Sequence, residues 1–431
     1  MFDSLVINSP KRNSHSQTGW SGFFPYYAGF PEGFARSVLE SANLPNNAIV
    51  LDPWNGSGTT TYAASQLGYS CIGVDLNPVM VIVARARLLP ASEADSLEPQ
   101  ARKLIKGVKT NAKAAPKDDP LLWWFTPHTA GILRSVEKRI REHLVGEMTI
   151  TIEGTRLDRI SGFAATFYVA LFAVCRELAA PYRSSNPTWL RKPKKGERRI
   201  SASRDDICAA LIDNICSMSA ALAARATPQP PDSSRSKVIL ADTPNLNLGS
   251  STVDLVLTSP PYCTRIDYTA ATRVELAILH PLCGTVVDQL SRKMIGSTRV
   301  PINNIDVSDS WGPLCKDFLR SLRNHSSKAS SGYYYKTHID YFHKMSHSLS
   351  KIAGTLKNGS AAILVVQDSY YKEIHNDLPR IITEMAEING LILRKRIDFP
   401  LKQSMARINR NSRIYRASSD AVEAVVCFEK T

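Results

Sequence analysis

The chain has 431 residues, of which 43% are hydrophobic, so it can bury a substantial core as one large domain with insertions or as several smaller domains. It carries 53 lysines and arginines against 39 acidic residues, a formal charge of +14, which indicates a polyanionic partner. No apolar run approaches the roughly 20 residues that span a bilayer, and the first residues lack the order of a secretory signal, so the sequence predicts a cytoplasmic protein with no membrane partner.

Cysteine usage argues against a disulfide-stapled protein and against a zinc-binding protein. The eight cysteines are scattered, and none forms a Cys-x-x-Cys pair or a Cys/His spacing typical of a zinc site. The sequence therefore predicts free, mostly buried thiols, no disulfide framework and no bound metal.

The first predicted elements form a βαβ unit. Residues 46–51 (NNAIVL) predict a short buried strand, which leads through the turn DPWNGSGTTT into a helical stretch that ends at Gly68. A second strand over residues 69–74 closes on Asp75. A strand, a glycine turn, a helix and a strand with a terminal acid are typical of nucleotide-binding α/β folds.

The glycine turn selects among nucleotide ligands. Gly56 and Gly58 let the backbone approach a ligand closely, and Asp75 can accept hydrogen bonds from ribose hydroxyls. A P-loop is excluded because no Gly-Lys-Ser/Thr follows, and Thr61 stands where a dinucleotide fingerprint has its third glycine. Asp52, which opens the turn, suits a cationic ligand better than a pyrophosphate. S-adenosylmethionine carries a sulfonium, an ammonium and no phosphate, so we expect it as the cofactor.

A structural interpretation of the same residues stands beside this one. The two glycines could merely make a tight turn from strand to helix. The acid before the turn, the acid after the next strand, and the Asn77-Pro78 pair that follows it favour cofactor binding.

Two long inserts follow in the chain. Residues 95–235 read as mainly helical, with apolar stretches at 160–178 and 205–226, and residues 280–332 read as polar and irregular. The helical insert contains a basic loop at residues 191–199. Its basic residues could bind phosphates or simply be solvated, and they are Arg191, Lys192, Lys194, Lys195, Arg198 and Arg199.

The remaining predicted elements complete one sheet. Further strands are predicted over 237–242, 253–258, 361–366, 391–399 and 421–430, with helices over 334–354 and 374–388. The count suits one open, mostly parallel sheet with helices on both faces. A second basic set precedes the last strand, and it consists of Arg407, Arg410, Arg413 and Arg416.

The strand over 253–258 runs directly into Ser259-Pro260-Pro261-Tyr262. Two prolines stop the chain in a fixed, extended turn at the carboxyl end of a strand, where open α/β folds place their ligands. A serine hydroxyl and a rigidly held Pro260 carbonyl could accept hydrogen bonds from an exocyclic amine, while Tyr262 stacks on the base. The structural alternative is a strand-terminating proline pair with Tyr262 in the core.

These motifs carry a family resemblance. DPWNGSGTT resembles the cofactor motif of amino-methylating DNA methyltransferases, TSPPY resembles their catalytic motif, and residues 19–41 resemble the aromatic-proline segment that precedes the glycine turn. The resemblance implies a class I, Rossmann-like methyltransferase fold with a mostly parallel seven-stranded sheet and a helical insert. It assigns Ser259, Pro260, Pro261 and Tyr262 to catalysis. The cofactor residues that it implies are Asp52, Pro53, Trp54, Gly56, Ser57, Gly58, Thr59, Thr60, Asp75, Asn77 and Asp242.

The resemblance also implies a function and an organisation. A serine at the first position of the catalytic turn is commonest among cytosine-N4 enzymes, and an acid or amide is usual for adenine-N6, so we expect cytosine N4 in DNA, with adenine N6 as the alternative. The expected setting is restriction–modification or phage defence, with a restriction or defence protein as partner. Two domain halves, 1–94 and 236–431, would flank a target-recognition candidate at 95–235.

The same residues bear on three alternative functions. An RNA methyltransferase acting on guanine N2 would use a similar turn, and a non-catalytic DNA-binding relative would be expected to lose Asp52, Gly56 or the Ser-Pro-Pro-Tyr turn, all of which are present. Methylation at cytosine C5 needs a nucleophilic thiol, usually in a Pro-Cys pair, and the chain has no such dipeptide.

Overall fold

The computed structural model describes residues 1–12, 22–24, 29–110, 112–146, 150–151, 154–155, 157–184, 189–225, 235–263, 267–285, 287–302, 304–400 and 421–431. The strands in these residues are β1 (Ile49–Asp52), β2 (Ser70–Asp75), β3 (Ile150–Thr151), β4 (Gly154–Thr155), β5 (Ser236–Leu240), β6 (Val253–Thr258), β7 (Leu356–Gln367), β8 (Ser369–Tyr371), β9 (Ile374–Asn376), β10 (Leu391–Pro400) and β11 (Val422–Lys430). Seven of them form one sheet, while β3 with β4 and β8 with β9 form two small hairpins.

The sheet has the order β10-β11-β7-β6-β1-β2-β5. β1 pairs in parallel with β2 on one side and with β6 on the other, and only β11 runs antiparallel to its neighbours β7 and β10. This mostly parallel sheet confirms the predicted class I methyltransferase fold. All seven strands predicted from the sequence lie in it, with ends that differ by a few residues.

Chain order reverses between β1 and β6. From β1 the chain adds β2 and then β5 on one side, whereas β6 and β7 lie on the other side. In open α/β sheets such a switch point leaves a crevice at the carboxyl ends of the strands, and ligands bind there. The residues that follow β1 and β6 therefore border the expected site.

The helices are α1 (Glu32–Ser41), α2 (Thr59–Gln66), α3 (Pro78–Arg87), α4 (Ala94–Lys106), α5 (Pro127–Ile140), α6 (Gly162–Leu178), α7 (Arg204–Ala223), α8 (Tyr268–Ala271), α9 (Arg273–Cys283), α10 (Val287–Lys293), α11 (Pro313–Asn324), α12 (Tyr335–Thr355) and α13 (Leu378–Ile388). Alternate residues of the central strands point to opposite faces of the sheet. Val50 and Leu255 pack under α1 and α2, whereas Leu51 and Val256 pack under α11, α12 and α13.

The segment 280–332, expected to be irregular, contains α10 and α11. Pro313 lies in the first turn of α11, where a backbone N–H would have no carbonyl acceptor within the helix. The buried residues lie on one face, and they are Cys315, Phe318, Leu319 and Leu322. Four apolar positions among polar residues are enough for a strongly amphipathic helix, and the surrounding serines and arginines concealed this pattern in the sequence.

The helical insert shares a hydrophobic core with helices that flank the sheet. Helices α4 to α7 bury their apolar faces together with residues of α3 and α9 in one cluster. One of them, α7, is long and apolar enough to cross a membrane by length and composition alone. Its buried side chains, however, pack against α4 and α6, and its first turn carries Asp205 and Asp206. The proposed domain boundaries remain a prediction.

A buried arginine fastens this insert to α9. Pro281 lies inside α9 and has no N–H, so the carbonyl of Ala277 lacks its usual helical donor. Arg134 of α5 donates to that carbonyl at 2.7 Å and to the Ile278 carbonyl at 2.9 Å. The same guanidinium holds both carboxylate oxygens of Asp119, at 2.7 and 2.9 Å. One side chain thus satisfies a helix defect and a largely buried acid.

We expect Arg134→Ala to lower the free energy of unfolding by about 3 kcal/mol, because it leaves the largely buried Asp119 carboxylate without its counter-charge and the Ala277 carbonyl without a donor. Urea unfolding of the purified protein measures this change. The control is Arg102→Ala, which removes an exposed ion pair with Glu98. Its free energy of unfolding should equal that of wild type within the error of the measurement. Equal stabilities for the two variants would contradict the assignment.

Candidate active site

A pocket opens at the switch point, at the carboxyl ends of β1, β2, β5 and β6. It brings together most of the residues that the sequence singled out. Those that line it are Asp52, Trp54, Gly56, Ser57, Thr59, Asp75, Asn77, Asp242, Ser259, Pro260, Pro261 and Tyr262. Segments that lie up to about half the chain apart thus meet in one cavity.

Three predicted residues lie behind the wall of this pocket. The Thr60 hydroxyl donates to the Asp52 carboxylate at 2.6 Å, and the Pro53 carbonyl accepts from the Thr243 hydroxyl at 2.6 Å. Gly58 precedes α2 and packs against α3. Their positions indicate that they shape the turn rather than touch a ligand.

Asp52 is a buried acid with uncharged partners. Its carboxylate accepts hydrogen bonds from the Thr60 and Thr258 hydroxyls, both at 2.6 Å, and from the Trp54 N–H at 3.1 Å. Within the described parts of the chain, no lysine or arginine forms an ion pair with it. Burial raises the pKa of Asp52 from 3.8 to about 6, against the lowering effect of these hydrogen bonds. A cation placed in the pocket would stabilise the ionised form.

The glycines of the turn have different tasks. Gly56 has φ 48° and donates its N–H to the Asp75 carboxylate at 2.9 Å. Gly58 has φ 78°, and a Cβ at this residue would lie 2.8 Å from the Cβ of Ala84 in α3. A left-handed backbone and this close approach both require glycine. Gly56 therefore ties the turn to the second acid, and Gly58 lets α2 and α3 approach each other.

Asp75 holds two backbone groups and still faces the pocket. Its carboxylate accepts from the Gly56 N–H and from the Asn77 N–H, the latter at 2.8 Å. Burial raises the pKa of Asp75 to about 6, and the charge of Asp52 contributes in the same direction. Burial also raises the pKa of Asp242, which is half-buried and lines the pocket after β5. The pocket thus collects three desolvated carboxyl groups.

The side chain of Asn77 is used within the protein. Its Oδ1 caps α3 by accepting from the Val79 N–H at 3.1 Å, and its Nδ2 donates to the Thr272 hydroxyl at 2.9 Å. Asn77 therefore borders the pocket as a helix cap that positions neighbouring elements.

The Ser-Pro-Pro-Tyr turn is fixed by hydrogen bonds on each side. The Ser259 hydroxyl donates to the Val365 carbonyl of β7 at 3.1 Å, which leaves its lone pairs available. The Pro261 carbonyl accepts from the Tyr341 hydroxyl of α12 at 3.0 Å. The Pro260 carbonyl, in contrast, receives no hydrogen bond from the described residues. The turn therefore presents two free acceptors, one on Ser259 and one on Pro260.

The sequence analysis missed Tyr268 and Thr272, which complete the pocket wall. The Tyr268 hydroxyl accepts from the Tyr262 N–H at 3.0 Å, and the Thr272 hydroxyl lies 3.1 Å from the Tyr268 carbonyl. Together with the bond from Asn77 to Thr272, these contacts link the loop after β2 to the Ser-Pro-Pro-Tyr turn. The helix cap Asp267, which accepts from the Ala270 N–H, was the available sequence signal.

Part of the predicted site lies outside the described residues. The segment 19–41 is described only over 22–24 and from 29 onward, where Gly29 and Phe30 line the pocket and α1 follows. The arginine set at 407, 410, 413 and 416 lies wholly outside. All eight cysteines are free, and six of them are buried, as expected. Among the described residues, no cluster of metal-ligating side chains is found.

Comparison with known proteins agrees with this geometry. Residues 3–85 match the family model of N6/N4 methyltransferases, described as DNA methylase. The chain is 24% identical over 300 residues to the type II methyltransferase M.BsoBI of Geobacillus stearothermophilus, a span of 64% of this chain and 55% of that protein.

Two shorter similarities point the same way. The chain is 24% identical to the type II methyltransferase M.AvaI of a Nostoc species over 34% of this chain and 32% of that protein. It is 36% identical to the type II methyltransferase M.SmaI of Serratia marcescens over 64 residues, 15% of this chain and 22% of that protein. The chain thus spans about half or less of the length of these relatives. The family match includes Asp52 and Asp75 and ends before Ser259.

We expect Asp52→Asn to stabilise the ligand-free protein at pH 8 by up to about 3 kcal/mol. The folded protein retains the Asp52 proton up to a pKa of about 6, whereas an unfolded aspartate releases it near 3.8. The contribution of this group to stability is therefore present below pH 4 and is lost as the pH rises to about 6 and above. Asparagine carries no charge and avoids that loss.

Urea unfolding at pH 4, 6 and 8 tests this expectation. The exposed Asp3→Asn serves as the matched control, because it makes the same chemical change outside the pocket. If Asp52→Asn is less stable than wild type at pH 8, the buried charge is compensated by a group that the hydrogen bonds do not reveal.

Proposed function

We propose that the chain, whose residues 3–85 match the family model of N6/N4 DNA methylases, transfers a methyl group from S-adenosylmethionine to an exocyclic amine of a base in DNA. The observation that carries the proposal is that the acids Asp52 and Asp75 and the Ser259–Tyr262 turn line one and the same pocket. Cofactor residues and amine-binding residues must share one cavity for a direct transfer.

The pocket fits a cationic nucleoside. The ionised Asp52, which has only uncharged partners, favours the ammonium and sulfonium charges, and the turn at Gly56 and Ser57 approaches the amino-acid end. Asp75 keeps lone pairs for ribose hydroxyls beside its two backbone bonds. Asp242 faces the adenine in this assignment. Apolar surface for the ring comes from Trp54 and Met80.

The Ser-Pro-Pro-Tyr turn activates the amine. S-adenosylmethionine supplies an electrophilic methyl group on its sulfonium. The Ser259 hydroxyl and the Pro260 carbonyl accept hydrogen bonds from the two N–H groups, which directs the nitrogen lone pair out of the aromatic ring. The nitrogen lone pair would form the new bond to the methyl carbon as the carbon–sulfur bond breaks. The sulfonium would leave as a neutral thioether, and the nitrogen would release one proton to solvent. Tyr262 stacks on the base, which must leave the DNA helix to enter the pocket.

The finer specificity is also part of the proposal. Serine in the catalytic turn favours cytosine N4 over adenine N6, which is the second candidate. Transfer of labelled methyl groups to DNA and to RNA in parallel tests the substrate class, and digestion of the product to nucleosides followed by mass spectrometry identifies the methylated base. N4-methylcytosine in DNA is the expected product. Methylated guanine in RNA, or no transfer to either, would overturn the proposal.

The biological setting follows from the relatives. Three type II methyltransferases among them favour a restriction–modification role, with a restriction enzyme as the functional partner. We place this activity in the cytoplasm, where the genomic DNA of a bacterium lies.

We expect Asp75→Ala to weaken S-adenosylmethionine binding by about 10- to 100-fold, because hydrogen bonds from ribose to a charged acceptor are lost at about 1.5–3 kcal/mol. Calorimetry of the cofactor with the purified variant measures this change. Asp95→Ala, an exposed aspartate at the start of α4, is the control and should bind normally. An unchanged affinity in Asp75→Ala would refute the ribose assignment.

We expect Tyr262→Ala to lower kcat/KM for DNA by about 10- to 100-fold with nearly unchanged cofactor affinity, because stacking on a base contributes about 1–3 kcal/mol. Tyr262→Phe keeps the stacking face and should be much milder. Steady-state methylation together with cofactor calorimetry separates the two effects. Wild-type methylation by Tyr262→Ala would make the turn a structural feature only.

A further inference from the structure

The basic loop of the helical insert is held in place at both ends. At its first end, the Arg191 N–H donates to the Tyr182 carbonyl at 2.9 Å, and the Trp124 indole N–H donates to the Arg191 carbonyl at 3.0 Å. At its other end, the Ile200 N–H donates to the Trp124 carbonyl at 2.8 Å. Its side chains are therefore presented from a defined position.

The loop carries an excess of unpaired positive charge. Glu197 is its only acid, and both oxygens of that carboxylate are held by Arg191 at 2.6 and 2.8 Å. The remaining basic residues of the loop are exposed and form no ion pair within the described residues, and they are Lys192, Lys194, Lys195, Arg198 and Arg199. A solvated charge run would be expected to mix both signs or to lie on a mobile tail.

One lysine of the loop lies over the tryptophan of a turn that packs against α9. The Lys192 ammonium lies over the ring of Trp123, which is 42% exposed. The short turn that ends at Trp123 packs against α9, and α9 begins at Arg273, directly after the pocket residue Thr272. Partial desolvation of its ammonium and the Arg273 charge lower the pKa of Lys192 to about 8. An anion bound beside Lys192 would offset the repulsion from Arg273.

We propose that Lys192, Lys194, Lys195, Arg198, Arg199 and Arg273, here called the basic edge, bind the phosphate backbone of the DNA whose target base enters the pocket. The inference rests on the proposed function for the identity of the polyanion. Its own basis is the fixed loop, the missing counter-charges and the position beside α9. Contacts to phosphates position DNA without reading its sequence.

The test compares the salt dependence of DNA binding in two double variants. Lys194→Gln with Lys195→Gln removes two charges from the basic edge. Lys237→Gln with Lys351→Gln removes two exposed charges near the starts of β5 and β7, on the edge of the sheet away from the pocket. Fluorescence anisotropy with a short duplex at several salt concentrations gives the slope of log K against log salt for each protein.

We expect the slope of the basic-edge variant to be shallower than that of wild type by about 2, since each phosphate contact contributes about 0.9. The control variant should keep the wild-type slope. Equal slopes for the two variants would overturn the proposal, as would a loss of slope with duplex RNA and none with DNA.

The same proteins separate this proposal from the proposed function. Wild type that fails to bind S-adenosylmethionine or to methylate DNA would refute the function, while a shallower slope in the basic-edge variant alone would still support the DNA surface. Conversely, full methylation by wild type with equal salt slopes for the two variants would support the proposed function and refute DNA binding by the basic edge.

Discussion

The Asp52 carboxylate is the group on which the site depends, because it joins the two strands that flank the switch point. It ends β1, and its oxygens accept from Thr258 at the end of β6 and from Thr60 in α2. These bonds fix the glycine turn against β6, the strand that leads into Ser259. Burial makes the charge costly, and neutral hydrogen bonds offset only part of that cost. The fold therefore keeps an acid poised where a cation can complete it.

A second set of buried polar contacts extends this arrangement into the helical insert. Asn77 links α3 to Thr272, and Arg176 of α6 forms a buried ion pair with Glu275 of α9. Arg134 reaches the backbone of the same helix. Buried ion pairs contribute little net stability, but they tolerate few alternative positions. Their common effect is to fix α9, whose N-cap Thr272 lines the pocket, relative to both the sheet and the insert.

The pocket and the basic loop carry charges of opposite sign. The pocket gathers the desolvated acids Asp52, Asp75 and Asp242, while the exposed loop of the insert carries lysines and arginines. An interior of this kind suits a small cation, and an exterior of this kind suits a polyanion.

The sequence by itself determined the seven strands, the turn at Asp52 and the Ser-Pro-Pro-Tyr motif, because buried β-branched runs, glycines with positive φ and proline pairs act within a few residues of chain. The pocket wall at Tyr268 and Thr272, helix α11, and the structural use of the Asn77 side chain were decided only in the tertiary structure. Asn77 and its partner Thr272 are separated by 195 positions, so no local pattern could pair them. The position of the basic loop was likewise set by packing of the insert against α9, which depends on helices that the sequence places far apart.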